Sequence, residues 1–148
     1  MLSGRRETRV GADMKFVVVL NGSQDLSRLA SGIGHVTAGL VARLSDRIGD
    51  LSFVEYKSAD GEVYPWISDW PFIILKGRGG QIDTFRQTLN FRNLPCATYL
   101  DTMLSGGSVA QQEATAAKPH SELTPLAVAA FGERSVLDEL TKKFSLWR

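Results

Sequence analysis

Arg28 and His35 stand seven residues apart. Two turns of helix would place them on one face. A guanidinium beside an imidazole can steady an oxyanion or phosphate and move a proton. Asp101 sits in the apolar run CATYLDTM, where a carboxylate is costly unless it is paired. It could hold the His35 tautomer, or orient a water for attack on an ester while Arg28 steadies the developing charge. The plainer alternative is a structural polar pair of Asp101 with Arg28 or His35.

Other chemistries find less support. The segment NGSQDLSRLASG contains neither a dinucleotide fingerprint nor a Walker loop. Gly77-Arg78-Gly79-Gly80 precedes a helical segment and could hold an anion on free N–H groups, although a simple strand-to-helix turn is the better account of it. His35 and His120 are the only histidines and Cys96 the only cysteine. Neither a paired-cysteine zinc site nor a disulfide framework can be built from these, and no cofactor is implied. Cys96 with His35 could form a nucleophile–base pair, but a cysteine opening an apolar strand reads as core.

These groups need elements to position them. Phe16–Leu20 is a β-branched apolar run, expected as a strand buried on both faces. Leu26, Leu29, Ile33, Val36, Leu40, Leu44 and Ile48 recur at steps of three and four, predicting a helix over residues 25–48. Arg28, Gly32, His35 and Gly39 form a second stripe on it. Glycines 32, 34 and 39 each cost about 1 kcal/mol against alanine in a helix, so close approach or open space is expected on that side. Asp60-Gly61 centres a hairpin over residues 53–67. Further on, residues 72–75 form a second buried strand, 81–91 a helix, 96–103 a strand, 105–121 a long loop, 126–131 a strand and 133–146 a last helix. The expected architecture is α/β: a three-layer α/β/α sandwich on a mixed, mainly four-stranded sheet. Two β-α-β passages give parallel neighbours, and the last two strands are antiparallel.

With 148 residues, 43% of them hydrophobic and 22% charged, one domain is expected over residues 14–148. Residues 1–13 read as an N-terminal extension, with Met14 as the functional start. The net charge of +1 supplies no global field for a polyanion, so an RNA ligand would need a local patch. No apolar run approaches the roughly 20 residues needed to span a bilayer. No membrane partner is therefore expected, and the cytoplasm is the default location.

Arg28-Leu-Ala-Ser-Gly-Ile-Gly-His35 resembles the K-x-A-A-Q-x-x-H-A signature of type 2 peptidyl-tRNA hydrolases. Leu94-Pro95 through Asp101 is similar to that family's L-P-x(5)-D strand. Thr124-Pro-Leu and the ending KKFSLW resemble its T-V-L-x-I-G-P and final-helix motifs. The resemblance implies the hydrolase fold, often dimeric, and an ester-linked substrate such as peptidyl- or aminoacyl-tRNA. Arg28 would stand at the family's lysine, with His35, Asp101 and Thr124 at its histidine, aspartate and threonine. Gly32 replaces the glutamine, and the short loop after the aspartate is rebuilt. A closer similarity is to the family known as domain of unknown function 2000, through the hairpin, the small-residue helix and FGERSVLDELTKKFSLW. The alternative to hydrolysis is a non-catalytic module that binds a small anionic ligand or a protein partner in the same cleft.

Overall fold

A computed structural model describes residues 13–148. The expected extension over residues 1–13 lies outside them except for Asp13, whose backbone carbonyl accepts from the Arg134 N–H at 2.8 Å. The elements run β1 (Met14–Asn21), α1 (Leu26–Arg43), β2 (Phe53–Lys57), β3 (Val63–Ser68), β4 (Phe72–Gly77), α2 (Gly79–Phe91), β5 (Cys96–Leu100), α3 (Ser108–Ala116), β6 (Pro125–Glu133), α4 (Arg134–Thr141) and β7 (Ser145–Leu146). Short 3-10 turns follow α1, β5 and α3.

The main sheet has five strands in the order β5-β6-β1-β4-β7, one more than the sequence suggests. β1 pairs parallel to β4, with Phe16 opposite Phe72 and Asn21 opposite Gly77, and antiparallel to β6. β5 pairs antiparallel to β6, as expected. The second β-α-β passage does not give neighbours, because β6 and β1 lie between β4 and β5. Burial explains this order. β6 is buried at every position but Glu133 and takes an inner place, while the half-buried β5 takes the edge.

Alternation along β1 feeds two cores. Phe16, Val18 and Leu20 pack with Leu29, Val36, Leu40 and Tyr99 on the α1 face. Val17 and Val19 pack with Ile82, Phe85, Leu89, Leu137 and Phe144 on the face of α2 and α4. Helices therefore cover both faces of a mixed sheet. Lys15, only 6% exposed, points to the α4 side and pairs with Asp138 there.

Five local expectations are corrected. α1 ends at Arg43, and Ile48 is 60% exposed, because a 3-10 turn at Ser45–Asp50 breaks the helical period. β4 is less buried than expected: only Leu75 is fully enclosed, since the two-residue β7 shields that edge weakly. The strand from Cys96 stops at Leu100, and Asp101–Met103 is a 3-10 turn. Ser108–Ala116 is helical; its alanines, glutamines and glutamate are strong helix formers, but it buries no residue, so it carries no apolar period. The last helix stops at Thr141, because Phe144 leaves it to pack edge-on against Phe85 at 5.7 Å and brings Ser145–Leu146 onto β4.

The hairpin of β2 and β3 forms its own two-stranded sheet. Gly61 at its turn has φ of +94°, which glycine adopts without the Cβ penalty. The Ser58 hydroxyl donates to Asp60, and this bond together with the Asp60 N–H holds that carboxyl below the usual range. Among the described residues no helix is long and apolar enough to cross a membrane.

Candidate functional site

Two clefts bear on function. The first lies beside α1. His35 is exposed and its ring lies nearly parallel to that of Tyr99, with centroids 6.4 Å apart. With Thr98, Met103, Ser108 and Gln111 it lines a cleft of about 440 Å³. Gln111 is anchored by donating to the carbonyls of Met103 at 3.1 Å and Gly106 at 2.9 Å. Thr102 and Thr115 share a hydroxyl hydrogen bond of 2.7 Å that ties α3 to the turn after β5.

The four residues singled out from the sequence do not converge on this cleft. Asp101 and Thr124 come together: the Thr124 N–H donates to Asp101 Oδ1 at 3.1 Å, and the Asp101 N–H donates to the Thr124 carbonyl at 3.0 Å. The pair extends the β5–β6 ladder by one step. His35 makes no hydrogen bond to Asp101, and Arg28 is exposed without an ion pair among the described residues. Only His35 of the four lines the cleft. Nor does Gly32 leave open space. A Cβ there would lie 2.4 Å from Tyr99 Cδ1, so the aromatic ring fills that side of the helix. Cys96 packs in the α2 core while His35 lies on the α1 side, which excludes the pair they might have formed. Burial pushes the Cys96 thiol up, partly offset by the charges of Arg43 and Arg86.

The second cleft lies at the carboxyl ends of the parallel neighbours β1 and β4, where open α/β sheets tend to bind ligands. It encloses about 630 Å³. The loop after β1 forms one wall. The Asn21 side chain, 4% exposed, shapes that loop by accepting from the Ser23 N–H at 3.1 Å and the Ser23 hydroxyl at 2.7 Å, while its amide donates to the Pro125 carbonyl at 3.3 Å. The Gly22 N–H donates to the Gly77 carbonyl at 2.9 Å and joins this wall to the next.

That next wall is the β4–α2 connection, carrying Lys76, Arg78 and Gln81. Gln81 Oε1 accepts from the Arg78 N–H at 3.3 Å. The third wall is the segment after α4, with Lys143 and Ser145. Phe144 sets its position by packing flat under Gly77, where a Cβ would lie 2.5 Å from the ring. Three cationic side chains therefore surround one cleft, no aspartate or glutamate lines it, and none of the three is ion-paired among the described residues. The positive end of α2 faces the same space and adds to that field.

Sequence reasoning reached this site only through Gly77-Arg78-Gly79-Gly80. Lys143 reads in one dimension as a helix-end cation, and nothing in the order of residues joins it to Lys76. The Asp83–His120–Arg86 cluster was likewise missed, because His120 falls in the segment read as loop. His120 Nε2 lies 2.9 Å from Asp83 Oδ2, and Arg86 Nε donates to Asp83 Oδ1 at 3.0 Å.

Comparison with other proteins agrees with the fold and leaves function open. A solved protein of unknown function from Agrobacterium tumefaciens is 19% identical, with a TM-score of 0.77, over 92% of this chain and 98% of that one. No curated protein matches the sequence. The profile of the family described as protein of unknown function DUF2000 matches residues 14–148, and the chain belongs to that family.

Proposed function

We propose that the protein is a binding module for a small anionic ligand, seated in the cleft between β1, β4 and the C-terminal segment. The observation that carries this reading is the trio Lys76, Arg78 and Lys143 around an open cleft with no lining carboxylate among the described residues. Like charges that line one cleft repel one another, so an anion between them relieves that repulsion as well as gaining attraction. The volume falls within the usual few hundred to 1,000 Å³ of small-molecule sites.

Titration with inorganic phosphate, followed by calorimetry or phosphorus NMR, tests the reading. Saturable binding in the millimolar range is expected, about −4 kcal/mol. The double substitution Arg78→Ala, Lys143→Ala should weaken it at least tenfold, and Asp101→Asn should leave it unchanged. Absence of saturation in the unsubstituted protein, or equal affinity in the double variant, overturns the proposal.

A second reading is favoured by one observation, the exposed imidazole of His35 in its own cleft, without a hydrogen bond among the described residues. On that reading the chain hydrolyses an ester-linked substrate such as peptidyl- or aminoacyl-tRNA, with Arg28, His35, Asp101 and Thr124 as the working residues. The position of Asp101 suits a supporting role better, since its Oδ1 accepts from the Thr124 backbone N–H. Release of an N-blocked aminoacyl group from tRNA, lost in His35→Ala, is the expected outcome of this reading. No release by the unsubstituted protein removes it.

A further inference from the structure

We infer that the ligand of the basic cleft is a small phosphomonoester with an aliphatic, hydroxylated body, and not a nucleotide. The inference rests on the anion-binding reading above and concerns what else the ligand carries.

Charge sets the first constraint. Lys76, Arg78 and Lys143 offer three positive charges with no lining acid. A single carboxylate would satisfy one of them. A phosphomonoester carries close to two negative charges at neutral pH and three acceptor oxygens, which suits cations arriving from two walls.

Space sets the second. A cleft of about 630 Å³ is far larger than a phosphate ion needs, so a body beyond the phosphate is accommodated.

Wall chemistry sets the third. Ser23, Gln81 and Ser145 line the cleft from three different chain segments. Ser23 Oγ donates to Asn21 and keeps its own acceptor positions. Gln81 accepts through Oε1, which leaves its amide N–H groups to donate. The Ser145 hydroxyl has no partner among the described residues. These are groups that exchange hydrogen bonds with hydroxyls.

A nucleobase requires something different. Base recognition gains about 1–3 kcal/mol per base from stacking on an aromatic face, and no aromatic side chain lines this cleft. Phe144 is close in sequence but is buried beneath Gly77, with Lys143 Nζ 5.6 Å from its ring centroid. A ribose diol is commonly held by an acidic side chain, and none lines this cleft among the described residues.

The test compares four probes on the full chain by calorimetry: inorganic phosphate, glycerol 3-phosphate, glycerol and AMP. Glycerol 3-phosphate should bind at least tenfold tighter than inorganic phosphate. Glycerol alone should not bind, and AMP should bind no tighter than inorganic phosphate. The double variant Gln81→Ala, Ser145→Ala should bring the affinity for glycerol 3-phosphate closer to that for inorganic phosphate. Should that variant not fold, the four-probe comparison on the unsubstituted protein decides. AMP binding tighter than glycerol 3-phosphate overturns the ligand class, as does glycerol 3-phosphate binding no tighter than phosphate; either result leaves the anion reading in place. Failure of every phosphorylated probe to bind instead overturns the anion reading beneath it.

Discussion

Gly32 shows how one side chain decides what a resemblance can carry. At the position that the resemblance matches to a glutamine of the hydrolases, this chain has no side chain, and the Tyr99 ring takes the space. Tyr99 is held there, since its hydroxyl donates to the Met103 carbonyl at 2.9 Å and the residue is buried. It cannot swing aside at low cost. Gly32→Ala should therefore destabilise the fold by about 1–3 kcal/mol, the usual cost of overpacking, measured by urea denaturation. Ala at Gly34, where a Cβ meets nothing within 4 Å, is the control and should be neutral or stabilising. The contrast separates close approach from vacancy within one helix, and shows that the glycine stripe is not a uniform opening for a ligand.

At the scale of elements, the contacts that fasten the chain after β5 matter most. α3 buries nothing, so it is held by side-chain anchors: Gln111 to the preceding loop and Thr115 to Thr102. The turn that follows, His120–Glu122, is tied to α2 through Asp83. Burial disfavours the charged form of Asp83, but hydrogen bonds and charge from His120 and Arg86 outweigh it and hold the carboxyl below its ordinary 3.8. A carboxyl depressed in the folded state stabilises above its unfolded pKa and loses that contribution as pH falls through the folded value. The Asp83–His120 clasp should thus weaken below about pH 4. Hydrogen exchange of residues 117–123 should rise there in the unsubstituted protein, and Asp83→Asn should show the raised exchange already at neutral pH. Equal exchange in the two proteins at pH 7 counts against a clasp.

At the scale of the molecule, a net charge of +1 coexists with a cleft holding three cations, so attraction for an anion is local. The cleft draws its walls from β1, β4 and the chain end after α4, and the phosphate affinity proposed above should fall as salt is added, because screening at physiological ionic strength acts over about 8 Å. The sheet makes the convergence possible. β1 and β4 are parallel neighbours whose following loops meet at one edge, and β7 adds the C-terminal segment to β4 at Lys76 and Ser145.

Composition and periodicity determined a good deal by themselves. The apolar runs at Phe16–Leu20 and Leu126–Phe131, the hairpin at Asp60-Gly61 and the apolar stripe of α1 follow from local patterning, since burial on one face or two imposes a period that a single chain displays. Those signals were enough for an α/β fold with helices on both faces, and the end motifs were enough for the family. Elements that bury little, such as α3, or that form only in a partner's presence, such as β7, leave no such period. Nor does a sequence reveal which distant residues share a cavity. Arg28 and His35 were joined by helical spacing and the set was completed with Asp101 and Thr124 by a family resemblance, yet folding pairs Asp101 with Thr124 by extending the β5–β6 ladder and leaves His35 against Tyr99. Nothing in the sequence joins Lys143 to Lys76 and Arg78. The pairing of β4 with β7, which sets Lys76 opposite Ser145, and the packing of Phe144 under Gly77 bring their side chains around one cleft.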